Sequence, residues 1–231
     1  MIDVFTLRGA GESMAGPNLL DVVTSKLDRS RFRSTSILYP ASIGPVNSDH
    51  NPAGANLEQS VTRGKRAIAY AVRETPNRVV LLGYSLGALV VSQFLEDLAA
   101  GENYTRDCHI LYAAFVSNPR RAVELGLPGY GIAGEHGNYG RVPTYEVARA
   151  DDGITCCPAG SPLRRLADVV VMAKRPQRVD VNWLRDPIGA IRAYSLASQL
   201  VTGYLTGRHS TAYIRDGDLD RLAGVINEVG R

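Results

Sequence analysis

The stretch Gly83-Tyr84-Ser85-Leu86-Gly87 constrains this chain more than any other. The apolar run Arg78-Val79-Val80-Leu81-Leu82 precedes it and reads as a buried strand. The run from Leu86 to Leu98 follows it, with Leu89, Val90, Phe94 and Leu98 on one helical face. Strand, sharp turn, helix is the context in which a G-x-S-x-G motif presents its serine as a nucleophile. The flanking glycines lack Cβ, so strand and helix can approach closely. Ser85 then stands at a helix N-terminus, where free N–H groups and the helix dipole favour a developing oxyanion.

Apolar runs and helical patterns alternate along the rest of the chain, which predicts an α/β fold with a mainly parallel sheet flanked by helices. The expected strands are Val4–Leu7, Ser36–Tyr39, Val79–Leu82, Ile110–Phe115 and Thr144–Ala148. The expected helices are Asn18–Leu27, Leu57–Arg73 and Leu86–Ala100, with a closing helix over Asp216–Val229. Asn56 is the expected cap of the long helix, whose Val61, Ile68 and Val72 form one buried stripe. Residues 117–143 are rich in glycine and fit either a substrate-facing loop or a disordered excursion. From Pro162 to Leu205 a helical pattern returns without a new strand, as in an insertion that walls or caps a site. A chain of 231 residues suits one such domain over 1–231, with the insertion at about 162–205.

Bulk composition narrows the function classes. At 45% hydrophobic and 21% charged residues, neither disorder nor a fibrous repeat is indicated. A net charge of +3 with scattered Lys and Arg gives no nucleic-acid footprint. No apolar segment reaches the length of a membrane span, and the N-terminus lacks the pattern of a secretory signal. Synthesis in a cytoplasm is therefore expected, with any action outside requiring release. Three cysteines are too few for a disulfide framework, and Cys108, Cys156 and Cys157 are expected as buried or idle thiols, with a single bridge as the alternative.

A serine hydroxyl is a poor nucleophile unless an imidazole takes its proton and an acid orients that imidazole. On a scaffold with this elbow the chain order is Ser, then Asp or Glu, then His. Of four histidines, only His136 and His209 come late enough; His50 precedes Ser85 and His109 opens a strand. His209 lies in a loop just ahead of the final helix and is preferred as the base. For the acid, Asp151 and Asp152 both follow the Thr144–Ala148 strand. Asp186 reads better as a helix cap before Pro187, and Glu146 points into its strand. An oxyanion hole needs N–H donors from Leu86 and from a loop after an early strand. Arg8-Gly9-Ala10-Gly11-Glu12-Ser13 follows the first strand, which places the second donor near Ala10. The same glycines fit a simple turn. They do not fit a Walker loop, since no Lys-Ser/Thr follows, and they match a dinucleotide fingerprint poorly.

Taken together, these segments resemble the cutinase-like serine esterases of the α/β-hydrolase fold, and most closely the phage Lysin B group. The opening Arg8-Gly9-Ala10-Gly11-Glu12 is similar to that group's oxyanion-loop motif, Tyr39-Pro40-Ala41 to its second strand end, and Gly83–Ala88 to its elbow. Asp152-Gly153-Ile154 is similar to the turn that carries the family acid, which selects Asp152 over Asp151. His209 with Tyr213 resembles the segment bearing the family base. The chain departs from secreted cutinases in its cysteine arrangement.

The resemblance implies a catalytic set of Ser85, His209 and Asp152, with an oxyanion hole from the N–H groups of Ala10 and Leu86. It places Gly11, Glu12 and Tyr84 against the substrate. No metal or organic cofactor is implied. The implied substrate is a lipid ester of a bacterial envelope, namely the mycolic acid–arabinogalactan ester, met when a phage lyses its host. A short-chain esterase, cutinase or thioesterase fits the same residues, because a fold and a triad do not name the acyl group. A structural protein that has kept the fold is the remaining alternative.

Overall fold

The computed structural model describes residues 1–44, 46–49, 51, 53–123, 126–159, 164, 207 and 209–231. The expected insertion, with Asp186 and the helix from Pro187, lies outside the described residues except for Arg164, as does His50.

Five strands form one sheet in the order β2-β1-β3-β4-β5: β1 Ile2–Leu7, β2 Phe32–Ser36, β3 Arg78–Tyr84, β4 Ile110–Val116 and β5 Thr144–Val147. Every neighbouring pair is parallel. The helices are α1 Leu19–Thr24, α2 Leu57–Glu74, α3 Leu86–Ala100, α4 Thr211–Arg215 and α5 Asp218–Glu228. The α/β class and the parallel sheet are as expected.

Side chains alternate across the strands and divide the core into two layers. On one face Phe5, Leu7, Val79, Leu81, Ala113 and Phe115 pack against α2 and α3. On the other, Val4, Val80, Leu82, Ala114 and Val116 pack against α1 and α5. The central strands are covered on both faces, which is why they read as unbroken apolar runs. Helix α2 buries Val61, Ile68 and Val72 as expected and starts at a capping box in which Asn56 accepts from the Gln59 N–H at 2.8 Å. Gly64 lets α2 close on α3, because a Cβ there would stand 2.7 Å from Val90 Cγ1.

One expectation needs correction. The second strand lies at Phe32–Ser36, not Ser36–Tyr39. It is an edge strand with four of its five residues exposed, so its polar sequence hides it. The alternation at Ile37 and Tyr39 marks instead a segment just beyond the strand that packs into the core. The closing helix is met as α5, within two residues of the expected Asp216–Val229, and the short α4 precedes it across Gly217 with φ +74.

The chain moves outward from β1 to β2 and then returns to β3 on the other side of β1. The loops that leave β1 and β3 therefore diverge at their carboxyl ends, which opens a crevice at the point where parallel sheets bind ligands. Ala10 follows β1 there, and Ser85 follows β3.

Candidate active site

Ser85 is the residue between β3 and α3, with φ +53 and ψ −114, a backbone conformation that L residues seldom adopt. Its N–H extends the ladder to Val116 O at 3.0 Å, so the sheet holds the turn in place. The elbow closes because its glycines have no side chain. A Cβ on Gly83 would lie 2.7 Å from Ala88 N and Cα, and one on Gly87 would collide with the Leu7 carbonyl. Replacing either therefore strikes backbone atoms, which cannot swing aside.

Oγ of Ser85 lies 2.8 Å from Nε2 of His209, and Nδ1 of His209 lies 3.1 and 3.0 Å from the two Asp152 carboxylate oxygens. The three residues are separated by up to 124 positions in sequence yet form one hydrogen-bonded chain. All three are buried, Asp152 and His209 at 2% and 3% exposure. Nδ1 faces a carboxylate, so the proton of a neutral imidazole sits there and Nε2 is left as the acceptor of the Ser85 hydroxyl proton. Tyr84 secures His209: its O–H donates to the His209 carbonyl at 2.9 Å and its ring tilts against the imidazole at 5.4 Å.

Burial works to raise the Asp152 pKa, but the charge of His209 and hydrogen bonds from His209, Ser117 and the Ile154 N–H outweigh it and hold the carboxyl below its ordinary value. Oδ2 accepts from the O–H groups of Ser117 and Tyr213, the latter at 2.8 Å, while Oδ1 accepts from Ile154 N–H at 3.0 Å. Burial, together with the negative charge of Asp152, pushes the Tyr213 phenol well up, so it remains a donor. Asp151 stands apart, exposed and paired with Arg149 at 3.0 Å. Arg149 also bridges to Asp216 at 2.8 Å and Asp218 at 3.0 Å, tying the acid turn to the start of α5.

The glycine-rich loop contributes a brace rather than an excursion. Arg121, fully buried, donates to the carbonyls of Thr155, Ala122, Pro128 and Gly129 at 2.8–3.1 Å. Tyr130 and Cys157 pair as an isolated bridge, and Ile132 packs on Cys157 and Ile154. The segment that follows Asp152 is thereby fastened to the segment that follows β4. His136 is half-buried and stacks on Tyr139 at 4.1 Å, and no contact with Ser85 or Asp152 is present among the described residues. Cys108, Cys156 and Cys157 are free and buried.

On the other side of the crevice, Gly11 takes φ +78 and donates to Ala41 O at 3.0 Å. Arg8 is buried, donates to Tyr39 O at 2.9 Å, and its carbonyl accepts the Tyr39 hydroxyl. Among the described residues, the N–H groups of Ala10 and Leu86 have no protein acceptor, which leaves both open to an anionic oxygen. Two residues expected against substrate have structural contacts of their own. The Glu12 carboxylate accepts from Gly9 N–H at 2.6 Å and Leu19 N–H at 2.8 Å, and so shapes the loop. Tyr84 is 4% exposed and holds His209. Gly11 is exposed at the loop's tip. Sequence reasoning missed Ser117 and Arg121. The only local sign of either is the place of Ser117 directly after a buried strand, as with Ser85.

Several solved structures share this architecture at low sequence identity. Lysin B from Mycobacteriophage D29 is 18% identical, with 74% of each chain covered and a TM-score of 0.58. The catalytic core domain of acetyl xylan esterase from Trichoderma reesei is 20% identical over 74% of this chain and 95% of that one, with a TM-score of 0.49. A cutinase-like protein from Cryptococcus sp. is 19% identical over 74% and 88%, with a TM-score of 0.45. No curated protein matches in sequence. The fold, a parallel sheet flanked by helices, is the one shared with that lysin B. A family profile described as the PE-PPE domain matches residues 31–149, just over half of the chain with Ser85 inside it, and the chain belongs to the PE-PPE domain family.

Proposed function

We propose that the protein is a serine carboxylic-ester hydrolase. The observation that carries this reading is the unbroken chain Ser85 Oγ–His209 Nε2 at 2.8 Å and His209 Nδ1–Asp152 Oδ2 at 3.0 Å, at the carboxyl ends of a parallel sheet. Ser85 Oγ attacks the ester carbonyl while His209 Nε2 takes its proton. Asp152 keeps the imidazole oriented and stabilises the imidazolium. The N–H groups of Ala10 and Leu86 receive the oxyanion. His209 then returns the proton to the leaving alcohol, and water releases the acyl group from Ser85 by the same steps in reverse.

Within that class the reading extends to a lipid ester. The mycolic acid–arabinogalactan ester of a mycobacterial-type envelope, met after release at host lysis, is the proposed natural substrate. Supporting it are the motif resemblance to the Lysin B group and the shared fold with the mycobacteriophage D29 lysin B. The test is hydrolysis of p-nitrophenyl esters from acetate to palmitate, with Ser85→Ala alongside and fluorophosphonate labelling as a second readout. Turnover that rises toward long chains and vanishes in Ser85→Ala supports the lipid-ester reading. Turnover confined to acetate and butyrate replaces it with a short-chain esterase. Turnover or labelling that persists in Ser85→Ala overturns the assignment of the nucleophile.

A further inference from the structure

Ser117 is the first residue after β4, as Ser85 is the first after β3, and both hold a left-handed backbone, with φ +52 and +53. A non-glycine residue in that region costs on the order of 1 kcal/mol and persists only where the surroundings enforce it. Here the sheet does so: Ser117 N–H donates to Val147 O at 2.9 Å, continuing the ladder to β5. The position of its fully buried side chain is thus set by the backbone and not by Asp152.

Ser117 Oγ lies 2.9 Å from His209 Nδ1 and within hydrogen-bond reach of Asp152 Oδ2. An ionised carboxylate only accepts, so the Ser117 proton is directed to Oδ2 and its lone pairs are left for Nδ1–H. The Nδ1–H therefore faces three oxygens: Oγ at 2.9 Å, Oδ2 at 3.0 Å and Oδ1 at 3.1 Å.

We propose that Ser117 is a second acceptor for the Nδ1–H of His209, a positioning residue that keeps the base in its working tautomer even when Asp152 is removed. The inference rests on the reading of Ser85 and His209 as nucleophile and base. Without the carboxylate, the Ser117 hydroxyl turns its proton away and still accepts from Nδ1–H, while Tyr213 O–H can donate to the vacated side of Oγ. The two orienting groups are then partly redundant, and their removal is strongly non-additive.

A double-mutant cycle tests this on whichever ester the wild type turns over. Ser117→Ala alone is expected to lower kcat/KM by about threefold, and Asp152→Ala by about a hundredfold, against the about ten-thousandfold loss of a triad whose only orienting acid is altered. The double variant should fall by that full ten-thousandfold. A Ser117→Ala factor that is the same or smaller in the Asp152→Ala background overturns the proposal. A purely structural role for Ser117 gives that result. Long-range proton–nitrogen correlation of the His209 ring supplies a readout free of activity. Asp152→Ala should keep the proton on Nδ1 and the double variant should lose it. A ring that moves to the Nε2–H tautomer in Asp152→Ala alone overturns the proposal, whether or not any ester is hydrolysed. Failure of the hydrolase reading shows separately, as absent turnover in the wild type.

Discussion

The substitution Gly83→Ala places one methyl group where the elbow has no room for it. A Cβ at that position lies 2.7 Å from Ala88 N, Ala88 Cα and Gly87 O, whereas ordinary contact begins at 3.4 Å. Relief thus requires the first turn of α3 to retreat by about 0.7 Å from β3, the difference between those two distances. Gly83 is itself held between Leu7 and Phe115 in the sheet, and α3 is buried against α2, so neither side yields freely. Overpacking of this kind costs about 2 kcal/mol, which for a chain of this length lowers Tm by about 4–8 °C. The same retreat displaces Ser85 from His209 and the Leu86 N–H from the loop of Ala10. Misplacement by about 1 Å reduces turnover by about 100-fold, so a loss of about 10- to 100-fold in kcat/KM is expected. Thermal unfolding and ester kinetics on the purified variant measure both. Gly153→Ala is the control, since a Cβ there meets nothing within 4 Å although the residue adjoins Asp152. A Gly83→Ala protein with wild-type Tm and kcat/KM would refute the argument that backbone contact at this elbow sets the geometry.

His209→Ala should lower kcat/KM by at least about 10⁴-fold, whereas His136→Ala, which removes a ring stacked on Tyr139 and its contact with the Gly137 carbonyl, should stay within about fivefold. Equal losses in the two variants would dismiss His209 as the base. Asp3 is buried at the start of β1, where Arg33 binds both its oxygens at 2.9 Å. Burial raises its pKa, yet the hydrogen bonds from Arg33, Thr75 and Asn77 prevail and hold it below the ordinary value. Its stabilisation is therefore complete above the unfolded pKa of about 3.9 and is lost as pH falls through the lower folded value. Asp3→Asn should cost about 1–2 kcal/mol in urea unfolding at pH 7, with the gap to wild type closing toward pH 2; a gap that persists there refutes the linkage. Gly224→Ala, on the exposed side of α5 with open space around it, should raise stability by about 0.5–1 kcal/mol, and a lower Tm would count against an unstrained helical backbone at that position.

How much of this was legible in the chain depended on how far apart the participating residues lie. The elbow is contiguous, so buried strand, paired glycines and following helix could be read from about twenty residues around Ser85. The central strands announced themselves because burial on both faces demands unbroken apolar runs. The edge strand β2 did not, since a strand with one partner and four exposed residues needs no apolar pattern.

The acid turn shows where local reading stops. Asp151 and Asp152 are equivalent by composition and spacing, and only a resemblance separated them. In the fold their side chains meet different surroundings, one Arg149 at the surface and the other the buried network with His209, Ser117 and Tyr213. Ser117 left no mark beyond its place after a buried strand, and Arg121 none, because Asp152, His209 and Thr155 lie 34–92 residues from them and are met only when β4, β5 and the segments after them stand side by side. The sequence by itself determined the fold class, the elbow and the late loop that carries His209, all properties of pattern over short windows. Which oxygens surround His209 Nδ1 was decided by tertiary packing, since hydrogen bonds between loops depend on angstrom-scale side-chain placement that no period in the chain encodes.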